Sequence, residues 1–115
     1  MIEIKIFNKE LTTFISKNTV VNFLGYITFK EKSILNAEDL FVLIDKEVSK
    51  QNNIEDYLYN FFLANADGNF AFVIKTNDQI LLACDYTRSY PLFIINEKNR
   101  IIITDHISKI PFNKE

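Results

Sequence analysis

The amino-acid sequence predicts an α+β domain in which helices cover one face of a predominantly antiparallel sheet. Apolar and charged residues alternate at the N-terminus, as they do in a half-buried strand. Two central segments have apolar residues at helical spacing, and after residue 68 short apolar runs alternate with polar turns. The order of two strands, two helices and four strands is typical of the α+β class, and 115 residues make one domain, 1–115.

The first half of the chain contains two predicted strands. Ile2, Ile4 and Ile6 alternate with polar residues and form the first. The second covers residues 18–29 and contains Gly25. A glycine inside a strand often marks a bulge or a close approach of two backbones, so we expect locally unusual sheet geometry at this position.

Two helices are predicted in the middle of the chain. Asn36 can cap a first helix that continues to Val48 with apolar residues at i, i+3 and i+4. Asn53 can cap a second helix, whose apolar face ends at Phe62. Residues 65–68 combine polar side chains with a glycine, which predicts a break after this helix.

The remaining strands follow this break. Polar turns at Asn77-Asp78 and at residues 97–99 separate apolar runs. The four predicted strands lie near residues 69–75, 79–85, 91–95 and 100–104.

Composition and charge exclude several functional classes. The chain carries 13 Lys and Arg against 15 Asp and Glu, a net charge of −2, so we expect no surface for nucleic acid. No apolar run is long enough for a signal peptide or a membrane span. The one cysteine cannot form an internal disulfide, which is typical of a reducing compartment, and we expect a cytoplasmic protein.

The most distinctive motif extends from Gly68 to Phe93. It reads Gly-Asn-Phe-Ala-Phe-Val at its start, continues with an apolar run that ends in Asp85, and closes with Arg-Ser-Tyr-Pro-Leu-Phe. This ordered set resembles the signature of the class II, N-terminal-nucleophile glutamine amidotransferase domain of asparagine synthetase-like proteins. The closing segment is most similar to members from bacterial surface-polysaccharide clusters, many of which lack the N-terminal cysteine.

The resemblance implies a shortened αββα sandwich of the N-terminal-nucleophile hydrolase type, in which this motif mainly organises the fold. Alternation places two of its phenylalanines on one strand face, where they would anchor the sheet to the helices. The motif residues expected to be structural are Gly68, Phe70, Phe72, Pro91 and Leu92.

Family positions that carry the chemistry can be compared one by one with this sequence. The nucleophilic cysteine should follow the initiator methionine, where Ile2 stands, and no Arg-Gly-Pro-Asp segment is present. The Asn-Gly pair that forms the oxyanion hole falls on Leu24-Gly25, so only a backbone N–H remains there. The acid that holds the substrate amine corresponds loosely to Asp39, although an acid in a first helical turn has a simpler explanation in the helix dipole.

Two further residues of the motif lie beside the substrate channel in the family. Asp85 and Arg88 are three apart across a turn and can form an ion pair that shapes it. We therefore predict no catalytic residue. The resemblance implies a reduced set of substrate-binding residues: Gly25, Asp39, Asp85 and Arg88.

Other reactive side chains are few. Cys84 follows an apolar run, where a buried and inert thiol is the default. His106 is the only histidine, and no Cys/His cluster suggests zinc. No glycine-rich phosphate loop is present. We therefore expect neither a metal nor a cofactor.

Three functional hypotheses follow. The first is an inactive glutaminase-like domain that serves as an accessory or interaction module of an asparagine synthetase-like, amide- or amine-transferring system. The second is an active amidotransferase subunit that supplies ammonia, and the third is reuse of the fold as a protein- or ligand-binding module. The expected partner is an ATP-pyrophosphatase-type synthetase domain or a second copy of the chain, through the helix 54–62 or a sheet edge, and not nucleic acid or membrane.

Overall fold

The computed structural model describes residues 2–49 and 53–110 as eight strands and two main helices. The strands are β1 Ile2–Lys5, β2 Thr12–Ser16, β3 Thr19–Phe29, β4 Lys32–Ile34, β5 Ala66–Lys75, β6 Ile80–Cys84, β7 Phe93–Glu97 and β8 Arg100–Thr104. Helix α1 is Ala37–Ser49. Helix α2 consists of three contiguous segments, Ile54–Asp56, the π-helical Tyr57–Phe62 and Leu63–Asn65.

The strands form two sheets. The larger has the order β2-β3-β5-β6, with β4 also paired to β3, and all of its pairings are antiparallel. The smaller has the order β1-β8-β7, in which β1 and β8 are parallel and β7 and β8 antiparallel. The predicted α+β class with mostly antiparallel sheets is therefore confirmed.

One core lies between the larger sheet and the helices. Phe70 and Phe72 lie on the same face of β5, and their rings stack with centroids 6.0 Å apart. Phe62 of α2 meets Phe72 edge-on at 6.4 Å, so the aromatic pair of the motif does join sheet to helix. Tyr57, Leu58 and Phe62 are the buried residues of the π-helical segment.

A second core lies between the two sheets. Its buried members are Leu24, Ala71, Val73, Leu92 and Ile103. The described chain thus stacks helices, the five-stranded sheet and the three-stranded sheet in that order. Leu92 belongs to this core, as expected for a structural residue of the motif, whereas Pro91 is only half-buried.

Both predicted helix caps are present. The Asn36 side chain accepts a hydrogen bond from the Asp39 N–H at 2.9 Å, and the Asn53 side chain accepts one from the Asp56 N–H at 3.1 Å. Within the residues described, no helix is long and apolar enough to cross a membrane.

Several strand predictions need correction. β2 was missed because it has only two apolar residues, and β4 because it is three residues long; both depend on pairing with β3. The second helix ends at Asn65, as the predicted break requires, but no turn follows it, since β5 begins at Ala66 and Gly68 pairs with Ile27. A Cβ on Gly68 would lie 2.4 Å from the Tyr26 carbonyl oxygen, so this glycine permits close strand approach and is not a turn residue.

Candidate functional site

The connection between β6 and β7, residues 85–92, forms an elbow organised by one buried carboxylate. Asp85 is only 7% exposed. Its Oδ1 accepts hydrogen bonds from the backbone N–H groups of Phe70 at 3.2 Å and Ser89 at 3.1 Å. Its Oδ2 accepts from Thr87 Oγ1 at 2.7 Å and Ser89 Oγ at 3.0 Å. The carboxylate therefore ties the elbow to β5 and has four donors from its own surroundings.

These hydrogen bonds also decide the ionisation of Asp85. Burial alone raises the pKa of the carboxyl, but donation from Thr87, from the Phe70 N–H and from Ser89 outweighs it. The net effect is a pKa below the ordinary value of 3.8. A carboxylate whose pKa falls on folding stabilises the fold above its unfolded pKa, and that stability is lost as the pH falls through the folded pKa.

Replacing Asp85 by asparagine is therefore expected to lower the free energy of unfolding by about 2–3 kcal/mol at pH 7. The difference from the parent protein should shrink as the pH falls below about 4 and on through the lowered pKa of the folded carboxyl, because the stabilisation of the parent depends on the charged form of Asp85. Urea unfolding between about pH 2.5 and 7 measures both effects. Asp78→Asn, in the exposed β5–β6 turn, is the matched control and should change stability little, because its side chain is exposed. A pH-independent loss at position 85 would contradict the assignment of a charged Asp85.

The predicted ion pair between Asp85 and Arg88 is wrong. The Arg88 guanidinium donates from Nη2 to the Leu92 carbonyl at 3.3 Å and lies over the Phe93 ring at 5.7 Å. The backbone explains this, because Arg88 has a φ of +54° and its N–H bonds the Asp85 carbonyl at 3.0 Å. Arg88 thus bonds the end of the elbow at Leu92, while hydroxyl and backbone N–H groups donate to Asp85.

Leu24 and Gly25 lie in β3 next to the elbow. Leu24 is buried in the core between the sheets. Gly25 has a φ of +87°, and a Cβ there would lie 2.0 Å from the Asn69 carbonyl oxygen and 2.7 Å from Tyr90 Cε2. The predicted close approach is therefore present: Gly25 lets β5 and the Tyr90 ring come near β3.

The fourth carried-over residue lies elsewhere. Asp39 is in the first turn of α1, and its Oδ2 accepts a hydrogen bond from the Leu35 N–H at 3.0 Å. It lines a surface groove together with Lys32 and Val42, which shares no residue with the elbow. The structure therefore brings Gly25, Asp85 and Arg88 together through one elbow and leaves Asp39 at a helix start.

A cleft of about 290 Å³ opens beside the elbow. The parallel strands β1 and β8 end at the same edge, so the segments that follow them meet there. The carboxylate of Asp105 joins these segments by accepting the N–H groups of Phe7 at 2.8 Å and Asn8 at 2.9 Å. The lining comprises Phe7, Asn8, Leu24, Ser89, Tyr90, Pro91, Asp105, His106 and Lys109.

The cleft is lined by several polar side chains, among them Ser89, Tyr90 and His106. His106 Nδ1 lies 2.9 Å from Ser108 Oγ in an exposed turn. Burial, followed by the nearby Glu10 carboxylate, raises the pKa of the Tyr90 hydroxyl, so Tyr90 acts as a donor at neutral pH. Among the residues described, no group of three His, Cys, Asp or Glu could hold a metal ion.

Cys84 lies outside this cleft. It is the last residue of β6 and is half-buried, whereas full burial was expected. It lines a separate cleft of about 460 Å³ with Gly68 and Asp85. Burial raises the pKa of the thiol, so little thiolate is present at neutral pH.

Sequence reasoning missed the cleft because its two sides come from opposite ends of the chain. The parallel pairing of β1 with β8 leaves no pattern in the local sequence, and His106 and Lys109 belong to no motif that the sequence analysis identified. No protein-family model, no curated protein and no solved structure matches this chain.

Proposed function

We propose that the protein is a non-catalytic, glutaminase-like domain that serves as an accessory or interaction module of an asparagine synthetase-like system. The main support for this proposal is that polar residues identified by the resemblance make their hydrogen bonds within the fold. Asp85 and Arg88 make hydrogen bonds within the elbow, and the position of the oxyanion donor is a buried leucine.

Leu24 stands where the resemblance places the side-chain donor of the oxyanion hole. A side-chain donor in an oxyanion hole is typically worth about 10²–10³ in rate, and an aliphatic side chain supplies none of it. The backbone N–H of Gly25 alone would have to stabilise a developing oxyanion. The buried position of Leu24 also means that a donor could be introduced there only at a cost to the core between the sheets.

The fold that we propose is more specific than the α+β class. Two stacked, mostly antiparallel sheets with helices against the larger one support a shortened αββα sandwich of the N-terminal-nucleophile type. The motif resemblance points to an amide- or amine-transferring system for bacterial surface polysaccharide, with an ATP-pyrophosphatase-type domain as partner. A cytoplasmic setting is proposed because a lone cysteine stays reduced there.

A second candidate function, binding of a small ligand, is favoured by the cleft beside the elbow. Asn8, His106 and Lys109 line it and could contact a polar ligand over the apolar floor formed by Leu24 and Pro91. Thermal unfolding in the presence of panels of small polar metabolites tests this candidate. A saturable stabilisation that His106→Ala removes would support it, and no stabilisation by any panel member would count against it.

Glutamine hydrolysis is the direct test of the leading proposal. The purified chain is expected to release no glutamate from glutamine above the buffer blank at any protein concentration. Cys84→Ala and Leu24→Ala variants serve as controls for contaminating enzyme. Glutamate release that scales with protein concentration and disappears in either variant would overturn the proposal, because it would show a working nucleophile or site in this chain.

A further inference from the structure

The edges of the two sheets differ in how they are protected. An edge strand has unpaired backbone N–H and C=O groups that can bind another strand, and proteins normally block such edges with charge or cover. The longer outermost strands are β2 and β6 in the larger sheet and β1 and β7 in the smaller. β4 also lies at an edge of the larger sheet, but it is only three residues long and begins with Lys32. Within the described residues, β7 pairs only with β8.

Three edges carry protection. The Tyr59 hydroxyl of α2 donates to the Leu82 carbonyl of β6 at 3.3 Å. Thr12 of β2 accepts the Ala37 N–H at 2.9 Å, which places the start of α1 against that edge. β1 has alternating charge, with Glu3 bonded to Arg100 at 2.7 Å.

The β7 edge is less protected, with the Arg88 guanidinium over the Phe93 ring at its start. Its first three residues, Phe93, Ile94 and Ile95, are uncharged and apolar, and Ile94 is 60% exposed. The only charge in the strand is Glu97 at its end, which binds Arg100 at 3.3 Å. An apolar edge of this kind pairs readily with another strand.

We propose that β7 binds β7 of a second copy of this chain in antiparallel fashion, around a two-fold axis at Ile94. A two-fold contact places the same surface of both copies together, so a strand must be complementary to itself. With the axis at Ile94, this residue meets its own counterpart and Phe93 meets the partner's Ile95. The pairs within residues 92–96 are then uncharged, since Leu92 meets the partner's Asn96, and Glu97 lies opposite the partner's Pro91, outside the strand.

The next register is less favourable. An axis at Ile95 would place Phe93 opposite the partner's Glu97, whose carboxylate is already bound to Arg100. The Ile94 register joins two three-stranded sheets into one sheet of six strands. A contact of five residues per copy is small, so we expect a dimer that dissociates on dilution.

Helix α2, the other expected contact surface, is less suitable. Phe61 meets Phe29 edge-on at 5.9 Å and lies under the Lys30 amine at 4.8 Å, and Tyr59 is bound to β6. Its exposed aromatics therefore already have partners within the chain. The dimer goes beyond the proposed function, because it requires no amidotransferase ancestry.

Sedimentation equilibrium of the full chain and two matched variants tests the proposal. Ile94→Lys places like charges opposite each other at the axis and should raise the dissociation constant of the dimer at least about tenfold. Ile15→Lys is the control, because Ile15 is 69% exposed in the edge strand β2 of the other sheet. An equimolar mixture of Ile94→Lys and Ile94→Glu should restore association.

Two results would contradict the dimer. A parent chain that remains at 13.5 kDa up to ~1 mM overturns the proposal, as does a dimer weakened equally by both lysine variants. The glutaminase assay keeps the two proposals apart, since an inactive monomer contradicts only the dimer and an active dimer contradicts only the proposed function.

A cysteine pair tests the register even if the lysine variant fails to fold. Residues directly opposite in antiparallel strands have Cα atoms about 4.5–5.5 Å apart, within the range of a disulfide. In a Cys84→Ser background, Ile94→Cys should give a covalent dimer on mild oxidation, and Ile15→Cys should not. Equal crosslinking of both, or none at position 94, would rule out this interface.

Discussion

Replacing Phe72 by alanine is expected to lower the free energy of unfolding by about 3–5 kcal/mol, because it empties a fully buried site. Phe72 lies at the centre of the core between the larger sheet and the helices. Its ring stacks on Phe70 and meets Phe62 of α2, so the substitution also removes two ring contacts.

The matched control is Phe61→Ala. The Phe61 side chain is 41% exposed, so the same truncation removes less buried surface and should cost clearly less. Urea unfolding of the three proteins gives the comparison. A Phe72→Ala variant that unfolds at the same urea concentration as the parent would show that β5 presents this face to solvent, contrary to the structure.

Replacing Gly25 by alanine is expected to cost about 2–6 kcal/mol, from overpacking and backbone strain together. The added methyl group would overlap the Asn69 carbonyl oxygen, which belongs to the backbone of β5 and cannot rotate away. The φ of +87° adds strain for any residue that has a Cβ.

Asn99→Ala separates the two contributions. Asn99 also has a positive φ, of 65°, but it lies in the exposed β7–β8 turn and already carries a Cβ. Its replacement should cost about 1 kcal/mol or less. A Gly25→Ala variant as stable as Asn99→Ala would mean that β3 and β5 do not approach as closely as described.

Local signals in the sequence predicted much of the fold. Asn36 and Asn53 cap their helices because an N-cap needs only a side-chain acceptor next to the first turn. The alternation of Phe70 and Phe72 predicted their shared face. β2 was not predicted because it forms by pairing with the long strand β3 and not through a pattern in its own residues.

The candidate site was predictable only in part. Gly25 was identified as a close approach, but its partner atoms on Asn69 and Tyr90 come from distant segments. Arg88 was predicted as the partner of Asp85 because it is close in sequence. Instead, the hydroxyl groups of the shorter side chains Thr87 and Ser89 donate hydrogen bonds to the carboxylate. The cleft depends on the pairing of the first strand with the last, which local sequence does not encode.

We propose that Leu24–Gly25 and the elbow serve the fold and do not bind glutamine. The chain has only two glycines, so the Gly25 amide can be identified readily by nuclear magnetic resonance of the ¹⁵N-labelled protein. In a titration with L-glutamine, we expect no change in the Gly25 and Ser89 amide signals. A saturable shift of the Gly25 amide that D-glutamine does not reproduce would contradict it.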